Sequence, residues 1–183
     1  MLKPNTKTIV LIGVLSALAA VLMIFPKFPI LPAFPWLDVD FSDVPALLAS
    51  VGISPIAGVL VVLIKNLIHL TMTSTGGVGE LSNFICGTAL VLTCGLTTKF
   101  MLKKVVNKKK LLLTLPISMV AQLVAAIFGN LYLMIPLYGI EAGAKAYITG
   151  GVIPFNLIKT LLVCIVFYII YILVYPKIQK RLY

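Results

Sequence analysis

Polar side chains that are costly to place in lipid recur at helical spacing inside the apolar stretches of this chain. Lys65 and His69 stand four residues apart, Glu80 and Asn83 three apart, and Asn156 and Lys159 three apart. Residues three or four apart share a helical face, so each pair projects two polar groups in one direction. Asn130 adds a lone amide in another apolar stretch. Ionisable groups within a membrane are expensive and mark binding sites, pairs or relays by default. Amides offer donor and acceptor together, lysine offers donors, and glutamate offers acceptors. Polar groups from three helices near one membrane face can line one pocket, which makes a ligand site the sharper reading. The blander one is interhelical glue, in which Asn156 and Lys159 satisfy each other or nearby carbonyls; for Asn66 it is the favoured one. Lys65 near a helix end can snorkel to the interface, and a lone His69 is weak grounds for proton coupling.

Catalytic signatures are missing. There is no G-x-x-x-x-G-K-[ST] loop, so this route to ATP hydrolysis is closed, and neither G-x-S-x-G nor H-E-x-x-H occurs. Gly76-Gly77-Val78-Gly79 joins two apolar stretches and is too short for a dinucleotide fingerprint. Asp38, Asp40 and Asp43 form an acidic cluster with no further acid or histidine near in sequence, so an exposed acidic loop is the default and no metal site is expected. Cys86, Cys94 and Cys164 each sit in an apolar run, and no disulfide framework or zinc spacing is present. The chain is expected to bind or transport, and not to be an enzyme.

The elements that hold these residues follow from composition. Of 183 residues, 61% are hydrophobic and 11% charged, with a mean hydropathy of +1.13, far outside the range of soluble domains. At about 20 residues per span, the length accommodates an all-α bundle of six transmembrane helices in a single domain, residues 1–183, with no appended soluble domain. The helices are expected at 8–25, 42–53, 55–72, 80–101, 111–138 and 151–175. A cleaved signal peptide competes for the first, but its apolar run continues to Phe25, the length of a span. Gly13, Ser16, Ala17 and Ala20 place small residues on one face of that helix, where another helix can pack closely. Residues 26–41 carry prolines at 26, 29, 32 and 35 with interleaved aromatics; they form an ordered loop that is either a lid or an interfacial aromatic belt. The second helix starts at Ser42 or Asp43 with Pro45 in its first turn, and is too short to cross alone.

Net charge is +10, yet its placement argues against nucleic acid: six lysines fall between Lys99 and Lys110 with only Phe100 for a base to stack on. With six spans, eleven of the fifteen basic residues lie on the side of the termini and the central loop. The positive-inside rule then makes both termini cytoplasmic, and the proline loop, the glycine turn and residues 139–150 face outward.

The order and spacing of several segments resemble the substrate-binding (S) components of energy-coupling factor (ECF) vitamin transporters, most closely the riboflavin-specific members. The likeness covers nearly the whole chain. It rests on Leu37-Asp38-Val39-Asp40-Phe41-Ser42-Asp43-Val44-Pro45, Ser54-Pro55-x-x-Gly58 leading to Ile64-Lys65-Asn66, Gly79-Glu80-Leu81-Ser82-Asn83-Phe84, Asn130 with Pro136-Leu137-Tyr138-Gly139, and Pro154-Phe155-Asn156-Leu157-Ile158-Lys159. Position 54 departs, being Ser where many relatives carry Gly. The resemblance implies a cell-membrane, multi-pass protein of the bacterial plasma membrane that captures riboflavin, as a transported ligand rather than a cofactor. A separate transmembrane coupling subunit and two ABC-type ATPases would energise it, with Gly13, Ser16, Ala17 and Ala20 matching the small-residue contact with the coupling subunit. Implied ligand contacts are Asn130 at the imide edge, Lys159 at a carbonyl, and Asn156, Asn83 and Glu80 at ribityl hydroxyls or holding the lysine, with Asp40 and Phe41 closing over the pocket. The alternatives are an S component for biotin or a thiamine precursor, and behind it a self-sufficient small carrier or a membrane enzyme.

Overall fold

The computed structural model describes residues 5–73, 75–101 and 108–182. They form a membrane protein of the all-α class with one short two-stranded ribbon and six principal helices: α1 (Thr6–Ile24), α2 (Asp43–Gly52), α3 (Pro55–His69), α4 (Val78–Met101), α5 (Lys108–Gly129) and α6 (Ile153–Leu182). Five helical segments are long and apolar enough to cross a bilayer, and α2 is the short one. The outward rows of Ile, Leu, Val and Phe that a soluble protein would bury are exposed here, as lipid contact requires. Lys103 and Lys104 of the basic segment lie outside the described residues.

The ten-residue α2 survives because its neighbours enclose it. It touches α1, α3, α4 and α6, and Asp43 through Leu47, Ala49 and Ser50 are all buried. Small residues permit that closeness. A Cβ built on Gly58 of α3 would stand 2.6 Å from the Ser50 Cβ and 2.9 Å from the Ala46 carbonyl oxygen, so only glycine lets the two helices meet here. Ser50 Oγ donates to the Val91 carbonyl of α4 at 2.5 Å, tying a third helix to the same point. α3 starts where Ser54 Oγ accepts from the Ala57 N–H at 3.1 Å with Pro55 in the first turn, the usual N-cap arrangement.

α1 packs inward through Ser16, Ala19, Ala20 and Met23, so it is a member of the bundle. This divides the small-residue face read from the sequence. Ser16 and Ala20 are buried within the chain, whereas Gly13 and Ala17 are exposed. The reason is phase: positions 16, 19, 20 and 23 define the inner stripe, and 13 and 17 fall at its outer edge.

Residues 25–42 fold as an ordered ribbon. Strands β1 (Phe28–Pro29) and β2 (Asp38–Val39) pair antiparallel, with Phe28 opposite Val39 and Pro29 opposite Asp38. The Phe34 ring is wedged edge-on against Tyr147, centroids 5.7 Å apart, and lies where a Cβ on Gly151 would come within 3.2 Å. The ribbon is therefore docked on the segment before α6. Phe28 and Trp36 remain exposed.

Two wide π turns interrupt regular helix at the same end of the bundle, Asn130–Met134 after α5 and Tyr147–Val152 before α6. Each is followed two residues later by a proline, Pro136 or Pro154, which has no N–H for the bond to residue i−4. Such turns occur often at functional sites.

Candidate functional site

The ribbon, the wide turns and the first turns of α4 and α6 enclose a cavity of about 270 Å³. Its lining includes Asp40, Glu80, Asn83, Asn130, Asn156 and Lys159, six residues drawn from four separate stretches of the chain. Phe41 is not among them. Its side chain instead packs against the central apolar core beneath α2, because the tight bend into α2 turns Asp40 toward the cavity and Phe41 toward the bundle.

Charge is arranged in pairs. Lys159 Nζ donates to Asp40 Oδ2 at 2.8 Å, and Asp40 Oδ1 accepts from the Ser42 N–H at 2.8 Å. Burial alone would raise the Asp40 carboxyl, but the charges of Lys159 and Lys65 with these hydrogen bonds overcome it and hold the group at about 2. Lys65 is fully buried, and its Nζ donates to Asp43 Oδ1 at 2.5 Å and to Ser42 Oγ at 2.6 Å. Thus Lys65 does not snorkel, and the exposed acidic loop is corrected: Asp40 and Asp43 are buried and each faces a lysine. Ser42 occupies the N-cap position of α2 with helical backbone angles and no side-chain cap bond, and its hydroxyl accepts from Lys65. At the rim, His69 Nδ1 lies 2.7 Å from Glu80 Oε1, and Thr75 Oγ1 donates to Glu80 Oε2 at 3.0 Å.

The amides are oriented by backbone carbonyls one turn earlier. Asn130 Nδ2 donates to the Ala126 carbonyl and Asn156 Nδ2 to the Val152 carbonyl, both at 2.8 Å. Asn156 and Lys159 do not pair with each other; Asn156 Oδ1 accepts from Gln122 Nε2 at 2.8 Å. Asn66, read as glue, donates to the Val62 carbonyl at 2.8 Å and reaches Asn83 Oδ1 at 3.4 Å. Sequence reasoning missed Gln122 of α5, whose mid-helix position in an apolar run was the available signal. In the apolar half of the wall, Trp36 comes from the proline loop read as a lid or an aromatic belt, whereas Met134, Tyr147 and Phe155 were missed. The Lys159 ammonium sits 5.8 Å from the Phe155 ring centroid, within cation–π range. Amides, an ammonium and aromatic faces around one cavity suit a flat solute with a polar edge.

The family model for the substrate-specific component of ECF transporters matches residues 7–171. The chain belongs to this family. The S component is 37% identical over 174 residues to the riboflavin transporter RibU of Staphylococcus aureus, covering 91% of this chain and 89% of that protein. It is 35% identical to the riboflavin transporter FmnP of Bacillus subtilis, over 97% and 96% of the two chains. A solved structure described as the S component of a bacterial ECF transporter superposes with a TM-score of 0.77 at 37% identity, covering 96% of this chain and 97% of that one. As a transporter component, the S component is a membrane protein and not an enzyme.

Proposed function

We propose that this S component binds riboflavin with high affinity in the cavity beneath the ribbon and delivers it to an ECF module of one transmembrane coupling subunit and two ABC-type ATPases. The observation that carries the reading is the convergence of Asn130, Asn156 and Lys159 with the Trp36, Tyr147 and Phe155 rings on one cavity, in a chain whose relatives are named riboflavin transporters. Riboflavin is neutral, with a flat isoalloxazine, an imide edge of two carbonyls and one N–H, and a hydroxylated tail. Asn130 retains an acceptor and a donor for the imide; Lys159 donates to a carbonyl while Asp40 holds it in place; Asn83 and Glu80 serve the ribityl hydroxyls. Phe41 supports the ribbon from the core side. Gly13 and Ala17, exposed on α1, supply the close-approach surface for the coupling subunit.

The whole chain acts as one membrane domain of the bacterial plasma membrane. Both termini are cytoplasmic, by the excess of basic residues on that side, and the cavity opens outward.

The test is the visible spectrum of protein purified in detergent, then riboflavin titration of flavin-free protein and of Asn130→Ala and Lys159→Ala. Flavin absorbance with weakened binding in both variants supports the reading. A protein indifferent to riboflavin that binds biotin or a thiamine precursor overturns it.

A further inference from the structure

Three side chains from two helices form a hydrogen-bonded relay at the cavity floor whose direction is dictated by one backbone carbonyl. The Val152 carbonyl can only accept, so the Asn156 atom 2.8 Å from it is the amide nitrogen. Asn156 Oδ1 must then face Gln122, whose atom 2.8 Å away has to be a donor and is therefore Nε2. This leaves Gln122 Oε1 as an acceptor, and the Thr160 hydroxyl donates to it at 2.5 Å. All three residues are buried, with relative exposures of 7% for Asn156, 5% for Gln122 and 2% for Thr160. Gln122 and Asn156 line the cavity, whereas Thr160 does not.

We infer that Gln122 and Thr160 are positioning residues that lock Asn156 with its oxygen engaged and its remaining N–H turned to the cavity, so that this point of the site demands an acceptor atom on the ligand. Asn130 is the counterpart with different polarity. Its Nδ2 is likewise held by a carbonyl, from Ala126, and its Oδ1 is left for the ligand. The two amides are thus not equivalent: Asn156 is a donor, and Asn130 is donor and acceptor. The Thr160 hydroxyl does not touch the cavity and, able to donate or accept, follows the polarity that Val152 imposes through Asn156 and Gln122; its part is to anchor Gln122 Oε1 so that Nε2 stays on Asn156 Oδ1 and only the Asn156 N–H is left for the solute. Replacing it with a methyl group leaves Gln122 Oε1 without its donor, so that Gln122 can swing away to find another and release Asn156 Oδ1. With Oδ1 released, Asn156 offers an acceptor as well as a donor, as Asn130 does, and the demand for an acceptor on the ligand is relaxed.

The inference rests on the riboflavin reading of this cavity. The experiment is a titration of wild type, Thr160→Val, Thr160→Ser and Gln122→Leu in detergent with riboflavin and with analogues lacking one acceptor at a time: deaza rings for nitrogen acceptors, thiocarbonyls for carbonyls, and deoxy tails for hydroxyls. The expected result is that wild type loses about threefold to tenfold in affinity for one of these analogues. That loss should vanish in Thr160→Val and Gln122→Leu, which bind riboflavin itself more weakly by a similar factor, and should persist in Thr160→Ser, which keeps the hydroxyl. A general packing defect would weaken every ligand in the same ratio and overturns the inference, as do Thr160→Val and Gln122→Leu proteins that bind like wild type. If Thr160→Val and Gln122→Leu do not fold, Thr160→Ser and Gln122→Met carry the comparison, with a Gln122→Met that retains wild-type discrimination overturning it. A wild-type protein that binds no flavin defeats the riboflavin reading and this inference with it, whereas flavin binding that is insensitive to positions 122 and 160 defeats this inference alone.

Discussion

Removing either member of the Lys159–Asp40 pair leaves a buried charge without its partner, the situation in which loss costs about 3–5 kcal/mol. Asp40→Asn is therefore expected to melt well below wild type in detergent, and Asp40→Asn combined with Lys159→Met to lie nearer wild type than the single change. Thermal denaturation followed by near-UV circular dichroism reads both. The pair also sets an acid limit. Asp40 is held at about 2 against an ordinary value of 3.8, so its folded-state value is depressed. Its stabilisation is complete above the unfolded value and is lost as pH falls through the folded one. Melting temperature should show no Asp40-linked change from about pH 5 to 8, and decline below about pH 4 more steeply in wild type than in Asp40→Asn. Only part of this site could be seen in the sequence. Asn130, Asn156 and Lys159 stand out because polar groups in apolar runs are conspicuous. Their partners do not, because nothing local to Lys159 points to Asp40, and nothing local to Lys65 points to Asp43. Gln122 escaped because an uncharged amide draws less notice in an apolar run than a lysine.

Helices were the most readable elements, since apolar runs near the thickness of a bilayer leave little choice of structure. The two wide turns were not, because a bond pattern of i to i−5 leaves no residue signature beyond a proline two positions later. Inner and outer sides of α1 were also hidden: small residues at 13, 16, 17 and 20 share a helical face whichever way the neighbouring helices lie. Where elements meet, glycine sets the separation. Gly58→Ala places a methyl group 2.6 Å from the Ser50 Cβ and should destabilise by about 1–3 kcal/mol. Adding Ser50→Gly should recover part of that loss, a non-additive outcome read by the same thermal melts. The ribbon has its own anchor in Phe34, which packs on Tyr147 and beside Gly151. Phe34→Ala should unseat it and act mainly on the rate at which ligand leaves. Stopped-flow fluorescence of flavin release should show faster dissociation with a smaller change in association; equal rates would mean that the ribbon does not retain the ligand.

For the molecule as a whole, orientation is the property most open to direct test. Cys86, Cys94 and Cys164 are buried, so a membrane-impermeant thiol reagent meets little background. Gly76→Cys in intact cells should label at once, and Lys104→Cys only after permeabilisation; the reverse pattern would invert the topology. Reconstituted alone, the chain should bind flavin yet release no phosphate from ATP, and phosphate release by pure protein would remove it from the role proposed here. The ion pair that joins the ribbon to α6 has a further consequence, in time. Asp40 and Lys159 lie 119 positions apart, whereas Asp43 and Lys65 lie only 22 apart. At synthesis rates of about 5–20 residues per second, Asp43 has its lysine within roughly 1–4 s, while Asp40 waits roughly 6–24 s. A nascent chain is thus expected to insert the short helix with Asp43 already facing its lysine and Asp40 still without Lys159. The cavity is completed only by residues made late in synthesis, among them Asn156 and Lys159, so a chain stalled before α6 should reach the membrane without the proposed site.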